Sequence, residues 1–379
     1  MLKTEAKKSQ ANQQQQGENA PATKKPKWKK TAKKAGDFTK LTKVRLGADG
    51  QPEPAVSYMD HAPVHSVYIH ADGLFRPVPH GTINSGLNVS KIYRMEGAQI
   101  LCQWQSKQAL NIVDQAVLFF LCQIAAQPAR VEGVVPAAEK VTALSKSLNA
   151  VGLCANLEHR SIKTTSPEIA RGIGLTPTGT NSHAILESLN RLAATRMTRT
   201  VLGEDGNPTS QIGITNVIGL VCDDEFQNVV LNIELTKACG VSGSVTWINM
   251  REHRSIKSKP AKRLHAWLSN WSSTSETRAI DLKLLPKHIW GGQPCTTSAA
   301  KSRAHTLRTS IQEISRLAGW VCFVDVDKKR LMVRMPIFAG TKAAAAATPT
   351  TFAVTTSTIA ERKSSTSPKS SPGMVLQSV

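Results

Sequence analysis

Tyrosine is scarce in this chain: it holds only Tyr58, Tyr68 and Tyr93, all in the N-terminal part, and no two of His61, His65, His70 and His80 stand two positions apart. A DNA nickase needs a metal-binding His-x-His pair and a nucleophilic tyrosine, so this pattern argues against that chemistry. A phosphate loop is missing too. Gly174 and Gly179 have the glycine spacing, but Thr180 stands where a lysine would have to meet the phosphates, so the segment reads as a helix C-cap and turn. No paired carboxylates mark a nuclease centre. The seven cysteines, Cys102, Cys122, Cys154, Cys222, Cys239, Cys295 and Cys322, are odd in number and widely spaced, with no C-x-x-C pair. They read as reduced, mostly buried thiols rather than zinc ligands or disulfides. The longest apolar run, Ala116 to Ala126, contains Gln123 and falls far below the roughly 18 residues a membrane span needs. No hydrophobic signal core follows the first lysines. The expectation is a cytoplasmic, non-membrane, non-enzymatic protein without cofactor or metal.

Positive charge is what the chain has in excess. A length of 379 residues suggests about two domains plus tails, and the net charge of +21 is unevenly spread. Residues 1–45 carry +10, residues 246–336 carry +11 and residues 337–379 carry +3, which leaves −3 for residues 46–245. Two basic regions around a near-neutral middle point to a polyanionic partner rather than to a uniformly solubilising surface, because clustered Lys and Arg gain affinity by releasing counterions from phosphate.

The segments differ in composition as well. Residues 1–54 are rich in Lys, Gln and Pro and residues 337–379 in Ala, Thr, Ser and Pro, so both tails read as disordered. The lysines around Trp28 form either a solvated basic tail or a run that tracks phosphates with Trp28 stacked on a base or a protein surface. Residues 55–240 begin with extended, turn-rich sequence. A helix after Ser106 follows, with Leu110, Val113, Val117, Phe120, Leu121 and Ile124 at helical spacing. A short helix over 166–173, capped by Ser166, and a third helix after Thr180 come next. Hairpin sequence at 197–202 and 211–222 follows, then alternation over 229–235 that predicts a strand.

Residues 246–336 repeat that order. Ser258-Lys259-Pro260 caps a helix whose apolar face is Ala261, Leu264, Trp267, Leu268 and Trp271. A short second helix ends at Gly291-Gly292, and a third runs from about Ser298 to Leu317, burying Ala300, Ala304, Leu307, Ile311, Ile314 and Leu317. Residues 320–326, the tip Asp327-Lys328-Lys329-Arg330 and residues 331–335 make a wing. The fold class expected is α+β, with two tandem winged-helix domains between disordered tails.

Opposite its apolar stripe the last helix presents Lys301, Ser302, His305, Arg308, Thr309, Gln312 and Arg316, with Arg303 at the boundary. Arg and Lys can bond guanine O6 and N7, Gln can bond adenine N6 and N7, and Ser or Thr can bond several edges or phosphates. An exposed charged face is usually only solvated. Here the wing cations Lys328, Lys329 and Arg330, with Lys257, Lys259, Lys262 and Arg263, converge on the same sign of charge. Arg308 and Gln312 are assigned to bases and the wing cations to phosphate. The first module offers Asn181, Ser182, His183, Glu187, Ser188, Asn190 and Arg191, and its hairpin tip carries Glu204 and Asp205, which phosphate repels. Self-association as a homodimer, or contact with a partner protein, is expected of it ahead of an equal share of base contacts.

The run Ile248-x-Met250-x-Glu252-x-Arg254, then Ser258, Ala261-Lys262, Leu264-His265, Leu268 and Trp271, resembles the entry to the second module of replication protein C, the origin-binding initiator of IncQ-group plasmids. Ala318-Gly319-Trp320 and Arg334-x-Pro336 continue the likeness, which covers about residues 110–336. The resemblance implies a non-enzymatic initiator with tandem winged-helix domains. Such a protein binds directly repeated iterons in double-stranded plasmid origin DNA, helps melt the adjacent duplex and admits a plasmid-encoded helicase and primase. A winged-helix transcriptional repressor acting on a palindrome is the alternative.

Overall fold

The computed structural model describes residues 60–78, 85–95, 98–135, 146–157, 159–223, 225–272, 276–292 and 296–336; the two tails, the lysine cluster around Trp28 and Cys295 lie outside them. The first half opens with β1 (His61–His65), α1 (Ser66–His70), β2 (Phe75–Arg76), β3 (Leu87–Met95), β4 (Ala98–Ser106) and β5 (Leu110–Asn111). It continues with α2 (Ile112–Ala125), β6 (Val131–Val135), β7 (Val151–Gly152), β8 (His159–Thr164), α3 (Ser166–Ile173), α4 (Gly179–Ala193), β9 (Arg196–Leu202) and β10 (Pro208–Asn216). The last pieces are β11 (Ile218–Cys222), β12 (Gln227–Leu231), α5 (Ile233–Cys239) and β13 (Val245–Asn249). The mixture of helices with mostly antiparallel strands is α+β, as the sequence predicts.

Helix α2 starts where Asn111 and Asp114 form a reciprocal capping box: the Asn111 side chain accepts from the Val113 and Asp114 amides, and the Asp114 carboxylate accepts from Asn111 N at 2.7 Å. The helix is apolar on nearly every side and is buried throughout except at Val113, so it is the axis of the first core. Asp114 is itself fully buried and receives the Arg191 guanidinium from α4 at 2.8 Å. This corrects two expectations. Arg191 and Ser188 are buried, not on an exposed face of α4, because a buried carboxylate demands a paired cation.

Three further elements differ from the sequence reading. Segment 211–222 is not one strand: the chain breaks at Val217, whose N–H bonds Thr195 O at 2.9 Å, and passes from one sheet into another. The alternation over 229–235 is strand only to Leu231. There Asn232 accepts from the Leu235 amide and starts α5, a local cap that outcompetes the period-2 pattern. Helix α3 is capped by Thr165 rather than Ser166, and Gly174 ends it in the left-handed region at φ 84°. The sheets are also larger than a lone hairpin. Strand β4 pairs with β9, giving the order β3-β4-β9-β10-β7, while β8 lies in a second sheet ordered β11-β12-β8-β6.

The second half comprises α6 (Met250–Ser255), α7 (Lys259–Trp271), β14 (Arg278–Asp281), α8 (Leu285–Trp290), α9 (Thr297–Ser315), β15 (Val321–Asp325) and β16 (Arg330–Arg334). From α7 onward the chain runs helix, strand, helix, helix, hairpin, and β16 lies between β14 and β15 in one antiparallel sheet. Leu264, Trp267, Leu268, Leu285, Ile289, Leu307, Ile311, Ile314, Leu331 and Val333 form its core. Ser258 caps α7 by accepting from the Ala261 amide, with Pro260 in the first turn, as expected.

The joint between the halves was not anticipated. Strand β13 pairs with β1 over the full length of both, and Ile248, Met250 and Ala266 belong to the first core. Helix α7 therefore feeds two cores at once, which is why Arg263, His265 and Ala266 are buried as well as its apolar face. Arg263 is fully buried and donates to Ile69 O at 2.9 Å, Ala71 O at 3.3 Å and His288 O at 3.1 Å. Glu252 of α6 receives both His265 Nε2 at 2.9 Å and Trp320 Nε1 at 2.8 Å, which gives His265 a structural role. His288 joins Asp72 at 2.7 Å and stacks on Trp267 with centroids 4.3 Å apart. Gly291, at φ 75°, lies so close to Gly73 that a Cβ there would stand 2.4 Å from the Gly73 Cα, a backbone crossing that only glycine admits. Replacing Arg263 with Met should lower stability by about 1–3 kcal/mol through the carbonyls left unpartnered, read as a lower denaturant midpoint with an unchanged m-value.

Candidate nucleic-acid interface

Helix α9 begins where Thr296 accepts from the Ala299 amide at 3.1 Å and buries Leu307, Ser310, Ile311 and Ile314. Lys301, Ser302, His305, Arg308, Thr309, Gln312 and Arg316 are all exposed on it. Among the described residues no carboxylate forms an ion pair with Lys301, Arg308, Lys328, Lys329 or Arg330. The apolar stripe of α9 is narrower than its spacing predicts: Ala300 and Leu317 are half-buried and Ala304 is exposed. Alanine is too short to reach the core, and its methyl lines an open groove instead.

The helix is held in place from the opposite side. Glu313 accepts from the Lys257 amide and, at 3.3 Å, from the Ser258 amide, so a carboxylate on α9 satisfies free donors at the start of α7. Arg303 is half-buried, donates to Gly292 O at 2.8 Å and lies over the Trp290 ring at 5.4 Å. It is committed to the fold more than to a ligand.

The hairpin expected as a wing is β15–β16. Its tip residues Lys328, Lys329 and Arg330 are exposed, and Lys329 takes a positive φ of 52° to close the turn. The Lys328 amide donates to the Asp325 carboxylate at 3.1 Å. Arg330 lies in register opposite both Asp281 and Asp325, so local carboxylates offset its charge more than that of the two lysines.

The four remaining cations fare differently. Lys257 and Lys259 are exposed and Lys262 is half-buried; burial pulls the Lys262 ammonium below its ordinary value while the Glu313 carboxylate opposes that shift. Arg263 is a correction. It is sealed inside the joint and cannot reach a phosphate, although burial, countered by Asp72, leaves its pKa at about 10 and its charge intact near neutrality.

Between α9 and β15 runs a groove of about 1020 Å³ lined by Leu307, Arg308 and Ile311 from the helix, Phe323 and Val324 from the strand, and Lys283 from the β14–α8 turn. Helical periodicity could not have assembled it, because the strand and the turn join it only through tertiary packing. Phe323 did leave a signal: it occupies an outward position of the wing strand, between the half-buried Cys322 and Val324.

The first half presents a different surface. His183 and Glu187 are exposed and paired at 3.7 Å on α4, and Glu204 and Asp205 are exposed at the β9–β10 turn. No helix among the described residues is long and apolar enough to cross a membrane, and no group of three or more His, Cys, Asp and Glu among them is placed to hold a metal ion.

These features describe an α+β protein that gathers basic and polar side chains on one helix and one hairpin. The family described as replication protein C (RepC) matches residues 55–334, and the chain belongs to that family. No curated protein matches it. Two crystal structures of domains 2 and 3 of RctB are similar to it at 10% identity and a TM-score of 0.42; one covers 75% of this chain and 100% of its own length, the other 72% and 97%.

Replacing Glu313 with Ala should destabilise the protein by about 1–2 kcal/mol, seen as a lower denaturation midpoint. Gln at that position keeps an acceptor and should recover part of the loss.

Proposed function

We propose that this chain is a plasmid replication initiator that binds directly repeated iterons in origin DNA through residues 246–336. Its halves act as tandem winged-helix domains of a non-enzymatic, cytoplasmic protein. The observation that carries the reading is the unpaired, exposed set on α9 and the wing: Arg308 and Gln312 contact bases, Lys301, Ser302, His305, Thr309 and Arg316 extend that face, and Lys328, Lys329 and Arg330 engage phosphate. Membership of the replication protein C family supports the setting. The element order of the second half supports its use of a helix in the major groove.

The first half takes the other tasks. Its hairpin is built into a five-stranded sheet rather than left as a free wing, and its turn is acidic, so it serves self-association or contact with the plasmid-encoded helicase and primase. Melting of the adjacent duplex follows from several copies bound side by side. A repressor remains the second reading, since the same face would suit a palindrome.

A footprint on DNA from the protein's own replicon decides between them. Several protected direct repeats beside an A·T-rich stretch are expected, whereas a single inverted repeat at a promoter would sink the initiator. Changing Arg308 to Ala should cost about 1–3 kcal/mol for the specific site and little for random duplex; an equal effect on both would move Arg308 to phosphate. Neutralising Lys328, Lys329 and Arg330 together should flatten the salt dependence by up to about 0.9 for each phosphate no longer engaged, and an unchanged slope would remove the wing from the interface.

A further inference from the structure

The groove between α9 and β15 has an apolar floor of Leu307, Ile311 and Val324, and beside it Phe323 is 52% and Val326 77% exposed. Large apolar side chains so exposed and so close together mark a surface that something covers. Ala304 adds a methyl to the same strip, one turn before Arg308 and next to His305, so an apolar track runs along the polar face of the helix. The rim is cationic, with Lys283, Arg308 and Lys329, and no carboxylate lines the groove.

An apolar strip inside a cationic rim suits a polyanion that displays apolar groups of its own. The major groove of a duplex does so wherever thymine projects its C5 methyl among hydrogen-bonding edges and flanking phosphates, and Ala and Phe side chains are the kinds that meet it. An acidic amphipathic peptide has the same gross complementarity. The groove, however, shares Arg308 and Gln312 with the exposed face of α9 and Lys329 with the wing, so a peptide there would occupy the residues that face DNA. We infer that Ala304 and Phe323 are specificity-determining residues that read thymine methyl groups, an inference that rests on the DNA-reading role proposed for α9.

The test removes the methyls from the DNA rather than from the protein. The footprinted origin fragment is prepared once with thymine and once with deoxyuridine throughout, and the full chain is titrated onto each and onto random duplex of equal length. Affinity for the uridine fragment should fall about fourfold for each methyl that the protein covers, the equivalent of about 0.8 kcal/mol per buried group of that size. Phe323→Ser and Ala304→Ser, both at exposed positions, should bind the thymine fragment more weakly and narrow the gap between the two fragments. Equal wild-type affinity for the two fragments overturns the inference while leaving α9 as a DNA reader. If Phe323→Ser is also neutral on DNA, the groove belongs to a peptide partner and the inference is again overturned. No preference for the origin fragment over random duplex removes the DNA-reading proposal itself, and this inference with it.

Discussion

The guanidinium of Arg263 is the constraint on which the arrangement of the two halves depends. A cation carried into the interior loses its hydration, and it is tolerable there only when well-placed acceptors replace the water. Those acceptors come from both sides: Ile69 and Ala71 belong to the first half and His288 to the second. Neither half alone supplies the set. Sliding or hinging of one half against the other would strip acceptors from a charge that has no route back to solvent, so the buried charge opposes such a displacement. The Gly73–Gly291 crossing and the His288–Asp72 pair add two further close contacts between the halves. The orientation of α9 relative to the first half is thereby tied to a buried charge on a different helix.

Glu252 adds a second node on the same joint. Its carboxylate gathers His265 from α7 and Trp320 from the start of the wing. The rings of Phe119, His253, His265 and Trp320 follow one another at 5.5, 5.8 and 5.3 Å between centroids. His253 is fully enclosed there, and burial, followed by His265, Lys262 and Arg254, keeps it neutral by holding its pKa well below the usual histidine range. Several of the residues through which the sequence resembles replication protein C fall on this joint. Ile248 and Met250 enter the first core, Glu252 and His265 bond each other, Arg254 donates to Gly172 O at 3.1 Å, and Ser258 caps α7. That part of the likeness resides in how the halves are joined. It bears on the family and says little about the contacts proposed for α9.

What was legible in the sequence was what local chemistry decides. Helix α7 announces itself through the Ser258 cap, the Gly174 stop through its glycine and the hairpin at 321–334 through a turn of charged residues, each acting within a few positions of itself, and α2 and α9 show as apolar spacing. What was hidden depends on partners distant in sequence. Arg191 and Arg263 looked like surface cations because Asp114 lies 77 positions from the first and Ile69 194 positions from the second. The pairing of β4 with β9 and the break at Val217 are likewise products of sheet assembly, which leaves no periodic mark. The same divide runs through the proposed interface. The polar face of α9 follows from helical spacing, whereas the apolar groove beside it exists only once β15 and the β14–α8 turn have packed against the helix.

That divide alters what the charge of residues 246–336 means. A net charge counts every cation equally, but the structure allots them unequal work. Arg263 is locked among carbonyls, Arg254 is turned toward Gly172 O, Arg303 lies on Trp290, and Arg278 donates to Trp271 O at 2.7 Å. Arg330 stands between two aspartates in register. Counterion release is driven only by cations that can approach phosphate, so the charge excess overstates the number of backbone phosphates this half can engage. Of the cations left exposed and without an ion pair among the described residues, Lys301, Arg308, Arg316, Lys328, Lys329 and Arg330 lie on α9, its C-terminal cap or the hairpin tip, while Arg251, Lys257, Lys259, Lys283, Lys287 and Arg334 lie elsewhere. A surface that concentrates few cations beside hydrogen-bonding side chains and an apolar groove is poorly suited to holding DNA by charge alone. If α9 reads DNA as proposed, its affinity comes largely from fit to base edges, as selective binding requires.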